Sequence, residues 1–441
     1  MIMLPKQTRN IIRALQNAGH EGYAVGGSVR DLLMGRPTHG WDFTTDAKPE
    51  EILSVFPDSF YDNQFGTVGI KVPDDIYEVT TYRSEKGYKD HRHPDKIIWG
   101  TTLKEDLSRR DFTINAIATD GKSIIDPYHG QKDLSDKLIR AVGDPASRLD
   151  EDALRAMRAI RIASELGFMI ESETLAAIKK SAHFIRKISL ERIRDELFRI
   201  LASPYAADGI LLLKNTGLLK EIIPELDAAF AVGQKSPKRH HIYDVGTHSV
   251  MALKNCPSVD PVVRLATLLH DIGKVKTYKI DTHGIVTFYN HEIVSTKIAK
   301  EILNRLRLSR KKTEKILILI RWHQFTVDER QTDSALRRFI RHVGKENLED
   351  MLALRIGDRL GGGATETSWR LELFKKRLEE VQKQPFTVAD LKINGFDVMK
   401  ELNVKPGPIV GKILNKLFTE VEAGSLRNEK DALLRSLKEA D

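Results

Sequence analysis

The sequence of 441 residues contains a single cysteine, Cys256, and no apolar run long enough to cross a bilayer. One cysteine excludes an internal disulfide framework and a zinc site built from several thiolates. The missing apolar run excludes a membrane-spanning helix, and the first residues lack the continuous apolar core of a secretory signal peptide. There is no repeat of fixed period and no segment of low complexity. We therefore expect a cytoplasmic protein with roughly two to four globular domains.

The charged residues leave an excess of positive charge. Lysine and arginine number 70 against 62 aspartates and glutamates, giving a formal net charge of +8 and a pI of about 9.2. This balance favours an anionic partner such as nucleic acid or a nucleotide, although a solvated basic surface is the simpler alternative. The sequence leaves the oligomeric state open, and a homodimer is compatible with it.

The apolar patterns divide the chain into an α/β part and an all-α part. Residues 1–145 contain β-branched runs and hairpin signals between short helical patterns. After them, helical patterns continue almost without interruption, apart from a basic, proline-containing linker at 231–240. We predict a multidomain fold with an α/β head at 1–145 and all-α domains at 146–230, 240–362 and 366–441.

Local patterns give more specific expectations within the head and its boundary. A strand is predicted at Tyr23–Val25, and continuous helices are predicted at Thr102–Ala118 and Asp150–Leu166. Residues 84–95 are polar without an apolar period and predict a mobile loop. The chain then returns as a strand at Lys96–Trp99.

A pair of glycines directly follows the first predicted strand. Because they lack Cβ atoms, Gly26 and Gly27 allow the backbone to approach a bulky anion closely, and the next helix start offers N–H groups to phosphate. Arg30 adds a planar fork suited to a polyphosphate. Asp42, on the next predicted strand, can hold the metal that neutralises the polyphosphate. This order predicts a nucleotidyltransferase site with Asp42 as a catalytic, metal-binding carboxylate.

Three further residues of the head are candidates for the same site. Glu78 alternates with apolar residues on a neighbouring predicted strand and is a candidate second catalytic carboxylate, with an exposed strand acid as an equal alternative. Arg110 and Asp111 lie within a predicted amphipathic helix. They form either a solvated face or contacts to the nucleotide, with Arg110 on the triphosphate and Asp111 on the ribose or the loop.

An acid and two arginines recur at intervals of three after residue 150. Asp152, Arg155 and Arg158 would share adjoining parts of one helical surface. Aspartate accepts from an exocyclic amine and a guanidinium donates to a ring nitrogen or carbonyl oxygen, so this set can recognise cytosine and, after a small shift, adenine. The alternative is an ordinary ladder of ion pairs.

Histidines and aspartates recur between residues 248 and 358. Such donors without cysteine suit Mn²⁺, Fe²⁺, Co²⁺, Ni²⁺ or Zn²⁺, and an adjacent His-Asp pair can hold a binuclear centre with the aspartate as a bridge. A lone histidine is more often a satisfied core residue, but six candidates in this order predict a metal centre. The candidate ligands are His248, His270, Asp271, His291, His323 and Asp358.

The tail carries glycines and prolines at its predicted helix junctions. Lys405, Gly407 and Lys412 place two cations and free N–H groups near a helix start, which suits a phosphate backbone. A structural helix hairpin is an equal alternative.

Several motifs follow one another in the order and spacing of a known family. They are GGSVRD, RRDFTINA, DPYHGQKDL, EDALRAMR and ERIRDE. The first half of the chain resembles the class II tRNA nucleotidyltransferases, which comprise the CCA-adding enzymes and their A-adding and poly(A) polymerase relatives. The resemblance implies a polymerase β-like head that adds CCA or a terminal A to tRNA 3′ ends, without a template, from CTP and ATP with Mg²⁺. A poly(A) polymerase is the alternative within the family.

The same resemblance assigns roles to individual residues. It implies that Gly27, Arg30 and Arg110 contact the incoming triphosphate and that Asp152 and Arg155 select the base. It also implies a neck at 146–230 that binds nucleotide and RNA, and a tail at 366–441 that holds the tRNA. Further nucleotide contacts would be Arg158 and Arg161.

One position departs from the family pattern. The family carries an Asp-x-Asp pair on the second strand, and alignment places Gly40 at the first acid and Asp42 at the second. Loss of one of two bridging carboxylates should weaken metal binding and nucleotide transfer. This favours, as an alternative, an RNA-binding protein without transferase activity.

The histidine–aspartate region resembles a second family. The run His270-Asp271-Ile272-Gly273-Lys274 and the spacing of the other candidate ligands resemble the HD phosphohydrolases over residues 240–362. The resemblance implies metal-dependent hydrolysis of a phosphate ester, for example a cyclic or terminal phosphate that blocks an RNA 3′ end.

Overall fold

The head is built around a mixed seven-stranded sheet with the strand order β3-β4-β5-β2-β1-β8-β9. Strands β2 and β5 are parallel and the other neighbours are antiparallel. The computed structural model describes residues 3–38, 40–61, 66–73, 75–86, 96–99, 102–234, 243–325, 331–363, 368–382 and 388–438. The strands are β1 Gly22–Val25, β2 Asp42–Thr45, β3 Ser59–Tyr61, β4 Thr67–Val72, β5 Asp75–Thr81, β6 Arg83–Lys86, β7 Lys96–Trp99, β8 Ala118–Thr119, β9 Ile124–Ile125, β10 Leu138–Ile139, β11 Met169–Ile170, β12 Lys279–Ile280 and β13 Val286–Thr287.

Helices cover the sheet and form most of the remaining described chain, together with the strand pairs β6–β7, β10–β11 and β12–β13. This confirms the predicted α/β head followed by a helical body. The helices are α1 Lys6–Asn17, α2 Gly27–Leu33, α3 Pro49–Val55, α4 Leu103–Ser108, α5 Gly130–Ser135, α6 Pro145–Glu151, α7 Leu154–Leu166, α8 Ser172–Ser181, α9 Leu190–Ala202, α10 Ala206–Thr216, α11 Leu218–Ile222, α12 Pro224–Ala229, α13 Val245–Asn255, α14 Pro261–Leu269, α15 Lys274–Thr277, α16 His291–Arg305, α17 Arg310–Trp322, α18 Asp333–Val343, α19 Leu348–Gly361, α20 Trp369–Gln382, α21 Gly395–Leu402, α22 Pro408–Glu422 and α23 Lys430–Lys438.

One apolar core extends through most of the helical body. It runs from Phe112, at the edge of the head, to Val381 on α20. The head sheet and the tail helices have smaller cores of their own. The predicted domains 146–230 and 240–362 therefore share a core, because α10 packs against α13 and α9 packs against α14.

The predicted helix at Thr102–Ala118 is wrong. Helix α4 ends at Ser108, a single 3₁₀ turn covers Thr113–Asn115, and the chain enters β8 at Ala118. Regular apolar spacing indicates which residues are buried, and it was interpreted as one side of a helix. Here the same residues are buried in a turn and a strand. The interruption allows Arg110 and Asp111 to face the front of the sheet rather than the side of a helix.

The predicted helix at Asp150–Leu166 is also interrupted. Helix α6 ends at Glu151, Asp152 is extended with φ −143° and ψ 106°, and α7 begins at Leu154. The carboxylate of Asp152 accepts a hydrogen bond from the backbone N–H of Leu154 at 3.0 Å, which satisfies a donor at the helix start. The expectation that Asp152 shares one helical face with Arg155 and Arg158 is therefore wrong.

The strand predicted at Lys96–Trp99 is confirmed as β7, which pairs with β6 in an antiparallel hairpin. The loop predicted from residue 84 is wrong for residues 84–86, which belong to β6. Residues 87–95 of that loop, and residues 235–240 of the predicted linker, lie outside the described part of the chain. Among the described helices, none combines the length and apolar character needed to cross a membrane.

Helices α13 and α19 cross at short distance because glycines line their contact. A Cβ added at Gly357 would lie 2.6 Å from the carbonyl oxygen of Ala252, and one at Gly361 would lie 2.6 Å from the backbone nitrogen of Ala252. Only a residue without a side chain allows this approach. The crossing brings His248 on α13 to Asp358 on α19, with 3.2 Å between Nε2 and Oδ1.

Replacing Gly357 by alanine should destabilise the protein despite the better helix propensity of alanine. The new methyl group must displace backbone atoms of α13, and overpacking of this kind costs about 1–3 kcal/mol. Chemical denaturation should show a lower free energy of unfolding for Gly357→Ala. Gly411→Ala on α22 is the matched control, because a Cβ there meets nothing within 4 Å. The control should be neutral or more stable by up to about 1 kcal/mol, and equal behaviour of the two variants would contradict the packing argument.

Candidate active site and candidate metal centre

A polar pocket of about 390 Å³ opens at the front of the head sheet, where the head meets α7. It collects most of the residues predicted to bind nucleotide or metal in the head. Its wall is formed by Gly26, Gly27, Asp42, Phe43, Thr67, Glu78, Thr80, Arg83, Arg109, Arg110, Asp111, Asn115, Asp152, Arg155 and Arg158.

The two predicted catalytic carboxylates stand side by side on parallel strands. Asp42, the first residue of β2, is the register partner of Glu78 on β5. Residues in register on neighbouring strands project to the same face, and both line the pocket. Loss of hydration in the pocket raises the pKa of Asp42 above its ordinary value, and this effect exceeds the opposing influence of Arg110 and Arg158.

Gly26 lies between an acid and a guanidinium of the site. A Cβ added there would lie 3.3 Å from both Nη1 of Arg110 and Oδ2 of Asp42, and the residue has a φ of +81°. Both the conformation and the narrow space favour glycine. The backbone of Gly26 is therefore open to a ligand flanked by Arg110 on one side and Asp42 on the other.

Asp111 joins the head to α7 through a buried network. Its carboxylate accepts hydrogen bonds from the backbone N–H of Phe112 at 2.9 Å, from Nδ2 of Asn115 at 3.2 Å and from Nε of Arg158 at 2.9 Å. Burial opposes ionisation of this carboxyl, but Arg158 and Arg155 outweigh burial and hold the pKa of Asp111 far below its ordinary value. Two roles were predicted for Asp111: contact with the ribose of the nucleotide, or holding the loop in place. These contacts fit the second role.

The residues predicted to select the base are held by neighbours on several elements. Nη2 of Arg192 on α9 donates to Oδ2 of Asp152 at 2.8 Å. Arg155 pairs with Glu151 and donates to the carbonyl oxygen of Arg109 at 3.0 Å. Both side chains remain on the pocket wall, in orientations fixed before any ligand arrives.

Two of the predicted nucleotide-binding arginines are absent from the pocket wall. Arg30 donates to Oδ1 of Asn115 at 2.9 Å and pairs with Asp31. Arg161 pairs with Glu196 and Glu165. These partners engage both guanidinium groups and hold them behind the wall, so nucleotide contacts by Arg30 and Arg161 stay a prediction.

Gly40 lies just before β2 and outside the pocket wall. Its φ is +61°, and a Cβ added there would meet nothing within 4 Å. Its N–H donates to Asp75 at 3.3 Å, and its carbonyl oxygen accepts from Ser28 at 2.6 Å. Asp46, the next acid along the chain after Asp42, accepts from the N–H of Glu21 instead of facing the pocket. Neither Asp46 nor Asp75 lines the pocket.

The six predicted metal ligands converge from five separate places on the helical body. Asp271 lies at the centre: its Oδ1 is 3.0 Å from Nε2 of His291 and 3.7 Å from Nε2 of His323. Its Oδ2 is 3.4 Å from Nε2 of His248 and 3.3 Å from Nε2 of His270. The two oxygens thus face two separate pairs of histidines, the arrangement expected of a bridging carboxylate.

Three of these histidines are oriented by backbone carbonyl groups. Nδ1 of His270 lies 2.7 Å from the carbonyl oxygen of Thr267. Nδ1 of His291 lies 2.9 Å from the carbonyl oxygen of Phe288, and Nδ1 of His323 lies 2.7 Å from that of Ile320. A hydrogen on Nδ1 leaves the Nε2 lone pair for a metal. Each Nε2 faces the central aspartate.

Electrostatics within the centre also fit a cation. Nε2 of His270 and Oδ1 of Asp271 are buried and lack a hydrogen-bond partner, although oppositely charged neighbours lie close by. Burial opposes a charged His270, but Asp271 and Asp358 outweigh it and raise the pKa of His270 to about 10 in the metal-free protein. Burial likewise opposes ionisation of Asp358, yet His248 and His270 hold its pKa well below its ordinary value. The donor set of imidazoles and carboxylates suits a divalent transition metal.

The predicted RNA-binding residues of the tail are exposed at one helix junction. Lys405, Gly407 and Lys412 lie at or near the start of α22, on the surface. Two apolar side chains beside them, Phe396 and Ile409, are exposed as well.

Comparisons with known proteins cover most of the chain. The sequence family described as "Poly A polymerase head domain" matches residues 22–140, "Probable RNA and SrmB- binding site of polymerase A" matches 167–230, and "tRNA nucleotidyltransferase domain 2 putative" matches 282–437. The third match includes His291, His323 and Asp358 together with the tail.

Full-length relatives and solved structures agree with these matches. A CCA-adding enzyme of Ligilactobacillus salivarius is 34% identical over 98% of this chain and 96% of its own length. The chain belongs to the family of CCA-adding enzymes. The crystal structure of the Bacillus stearothermophilus CCA-adding enzyme in complex with CTP matches 99% of this chain and 98% of its own, with a TM-score of 0.73 and 29% identity. The Thermotoga maritima CCA-adding enzyme complexed with tRNA has the same fold, with a TM-score of 0.63 at 21% identity over 100% of this chain and 96% of its own.

Several pocket residues of this CCA-adding family member escaped the sequence analysis. Thr80, Arg83, Arg109 and Asn115 line the cavity. A signal existed for Thr80, which lies two residues after Glu78 and therefore on the same face of β5. For Asn115 the only hint was its position four residues after Asp111, within a segment that the sequence predicted to be helical.

Replacing Asp111 by asparagine should destabilise the folded protein in a pH-dependent manner. The folded-state pKa of Asp111 is depressed, so its stabilising contribution is present above the unfolded-state pKa near 4 and is lost as the pH falls. At pH 7 the free energy of unfolding of the variant should be lower by about 2 kcal/mol. This loss is smaller than for a fully buried ion pair, because Arg158 keeps access to solvent. Urea denaturation at pH 7 and pH 3 measures the difference. A penalty of equal size at both pH values would contradict this role of the ion pair.

Proposed function

We propose that this protein adds nucleotides from CTP and ATP to the 3′ ends of tRNA without a nucleic-acid template, producing a CCA end or its terminal A. The observation that carries the proposal is a single pocket in which carboxylates, arginines and a glycine-lined backbone face one another. The membership of the chain in the family of CCA-adding enzymes supports CTP, ATP and tRNA as the substrates.

The pocket wall suggests how the protein's own residues serve the reaction. The backbone at Gly26 and Gly27 and the guanidinium of Arg110 would hold the triphosphate. Asp152 would accept from the exocyclic amine shared by cytosine and adenine, with Arg192 fixing its orientation. Arg155 is already paired with Glu151 and with backbone carbonyl groups. It would contact the base through the N–H groups that these partners leave available.

The carboxylates at the pocket edge fit the magnesium ion that this chemistry requires. Asp42 and Glu78 offer oxygen donors, the type that Mg²⁺ prefers. When bound, the ion neutralises the polyphosphate and assists the attacking hydroxyl. Gly40 supplies no carboxylate, so the site has one acid fewer than the Asp-x-Asp pair of the family would provide.

Restoring that acid should raise nucleotide incorporation. Gly40→Asp introduces a carboxylate where a Cβ meets nothing within 4 Å, and aspartate is among the residues that tolerate a positive φ. Because one charge-stabilising group commonly contributes about 10²-fold, we expect at least about a tenfold faster incorporation with Mg²⁺. The measurement offers tRNA ending at the discriminator base, at C or at CC, with labelled CTP and ATP.

Two variants make this experiment decisive. Gly35→Asp is the matched control, since Gly35 also has a positive φ and open space around its Cβ, and it should leave the rate unchanged. Asp42→Asn should abolish incorporation. Equal rates for the wild type and Gly40→Asp would refute the role given to position 40. Absence of incorporation from every acceptor by both proteins would refute the transferase proposal, and unlimited addition of A would indicate a poly(A) polymerase.

We further propose that the histidine–aspartate centre hydrolyses a phosphate ester, with terminal or cyclic phosphates at RNA 3′ ends as the substrate class. The bridging position of Asp271 and the three carbonyl-oriented imidazoles support this proposal. A divalent cation bound there supplies Lewis acidity toward a phosphoryl group and a more acidic water. The protein's residues hold that centre inside a rigid core.

Replacing Asp271 by asparagine should abolish both metal binding and hydrolysis. Asparagine cannot bridge two cations as a carboxylate does, so the loss should reach about 10²-fold or more. Elemental analysis of protein loaded with Mn²⁺, Ni²⁺, Fe²⁺ or Co²⁺ measures the metal, and release of nucleoside monophosphate from 2′,3′-cyclic nucleotides measures hydrolysis. Glu314→Gln, an exposed change on α17, is the control. Full hydrolysis by Asp271→Asn would exclude this centre as the catalyst.

A further inference from the structure

Among its six candidate ligands, the candidate metal centre has one side chain with an appreciable exposed fraction. Asp358 is 21% exposed, whereas Asp271 is 2% exposed and His270 is fully buried. His248, His291 and His323 are equally enclosed. The least enclosed approach among these residues is therefore the opening at Asp358, and side chains next to Asp358 would meet a ligand that enters there.

Arg355 stands at this opening, one helical turn before Asp358 on α19. Its Nη1 donates to Oδ2 of Asp358 at 3.1 Å, while Oδ1 of the same carboxylate faces His248 at 3.2 Å. The guanidinium also lies over the ring of Phe325, with 5.4 Å between Cζ and the ring centroid. Two contacts of different kinds thus fix the guanidinium beside the opening.

The contacts of Arg355 leave donors unused. A guanidinium has five N–H groups, and within the described chain the acceptor found for this one is Asp358, bound through Nη1. Its Nε is buried without a hydrogen-bond partner and is out of reach of a ligand, so the N–H groups available to an anion are those on Nη1 and Nη2. A tetrahedral anion offers oxygens that match these two nitrogens of the guanidinium.

We infer that Arg355 binds the phosphoryl group of the substrate at the open side of the metal centre, an assignment that rests on the hydrolase activity proposed above. The residue would hold Asp358 with one donor and a phosphoryl oxygen with others. This predicts selectivity for an exposed phosphate that can enter past Asp358.

Arg355→Gln tests this role without relying on turnover. Inorganic phosphate is titrated into the full-length protein loaded with Mn²⁺, and metal content is measured on the same sample. The variant should bind phosphate at least about tenfold more weakly, since a hydrogen bond between charged groups is lost, with its metal content unchanged. Arg310→Gln is the control, because Arg310 is exposed and pairs with Glu314 at the start of α17; it should match the wild type.

Other results would overturn the assignment. Unchanged phosphate affinity in Arg355→Gln would show that Arg355 does not bind the anion. Loss of metal together with phosphate would show that Arg355 only positions Asp358. If the glutamine variant does not fold, Arg355→Lys, which keeps the charge without the fork, decides by the same two measurements, with about threefold weaker phosphate binding expected at full metal content. A wild-type protein that binds no metal would refute the hydrolase proposal itself.

Discussion

The buried ion pair between Asp111 and Arg158 is the interaction on which the nucleotide pocket depends. Asp111 belongs to the turn after α4 in the head, and Arg158 belongs to α7 in the body. An isolated carboxylate at the depth of Asp111 would be costly, so Asp111 requires the partly exposed guanidinium of Arg158. The pair fixes the position of the head against α7, and this position brings the carboxylates of β2 and β5 opposite Asp152 and Arg155.

A different constraint organises the candidate metal centre. There, glycines on α19 let two helices cross closely enough for a histidine of one to meet an aspartate of the other. The remaining ligands occupy helix ends: His270 and Asp271 follow α14, His291 begins α16, and His323 follows α17. The centre is therefore a product of packing over long sequence distances, within a core that already exists.

The sequence predicted many of the residues of both sites but not their geometry. Glycine pairs, motif order and histidine spacing identified most of the pocket wall and all six converging ligands. The two helix predictions failed at Arg110–Asp111 and at Asp152, because apolar periodicity reports which residues are buried and not whether a turn interrupts the helix. The placement of Arg30 and Arg161 outside the pocket wall was not predicted, for a related reason. Charge at a motif position does not reveal that a carboxylate or an amide elsewhere in the fold already occupies it.

The single core that extends from Phe112 to Val381 has a consequence for the evolution of the protein. The helices around the nucleotide pocket and the helices that carry the histidine–aspartate cluster contribute to this one core, so deletion of either set would expose apolar surface of the other. A lineage that changed the chemistry of one site would therefore retain the helices of both. Such a change would be confined to single side chains.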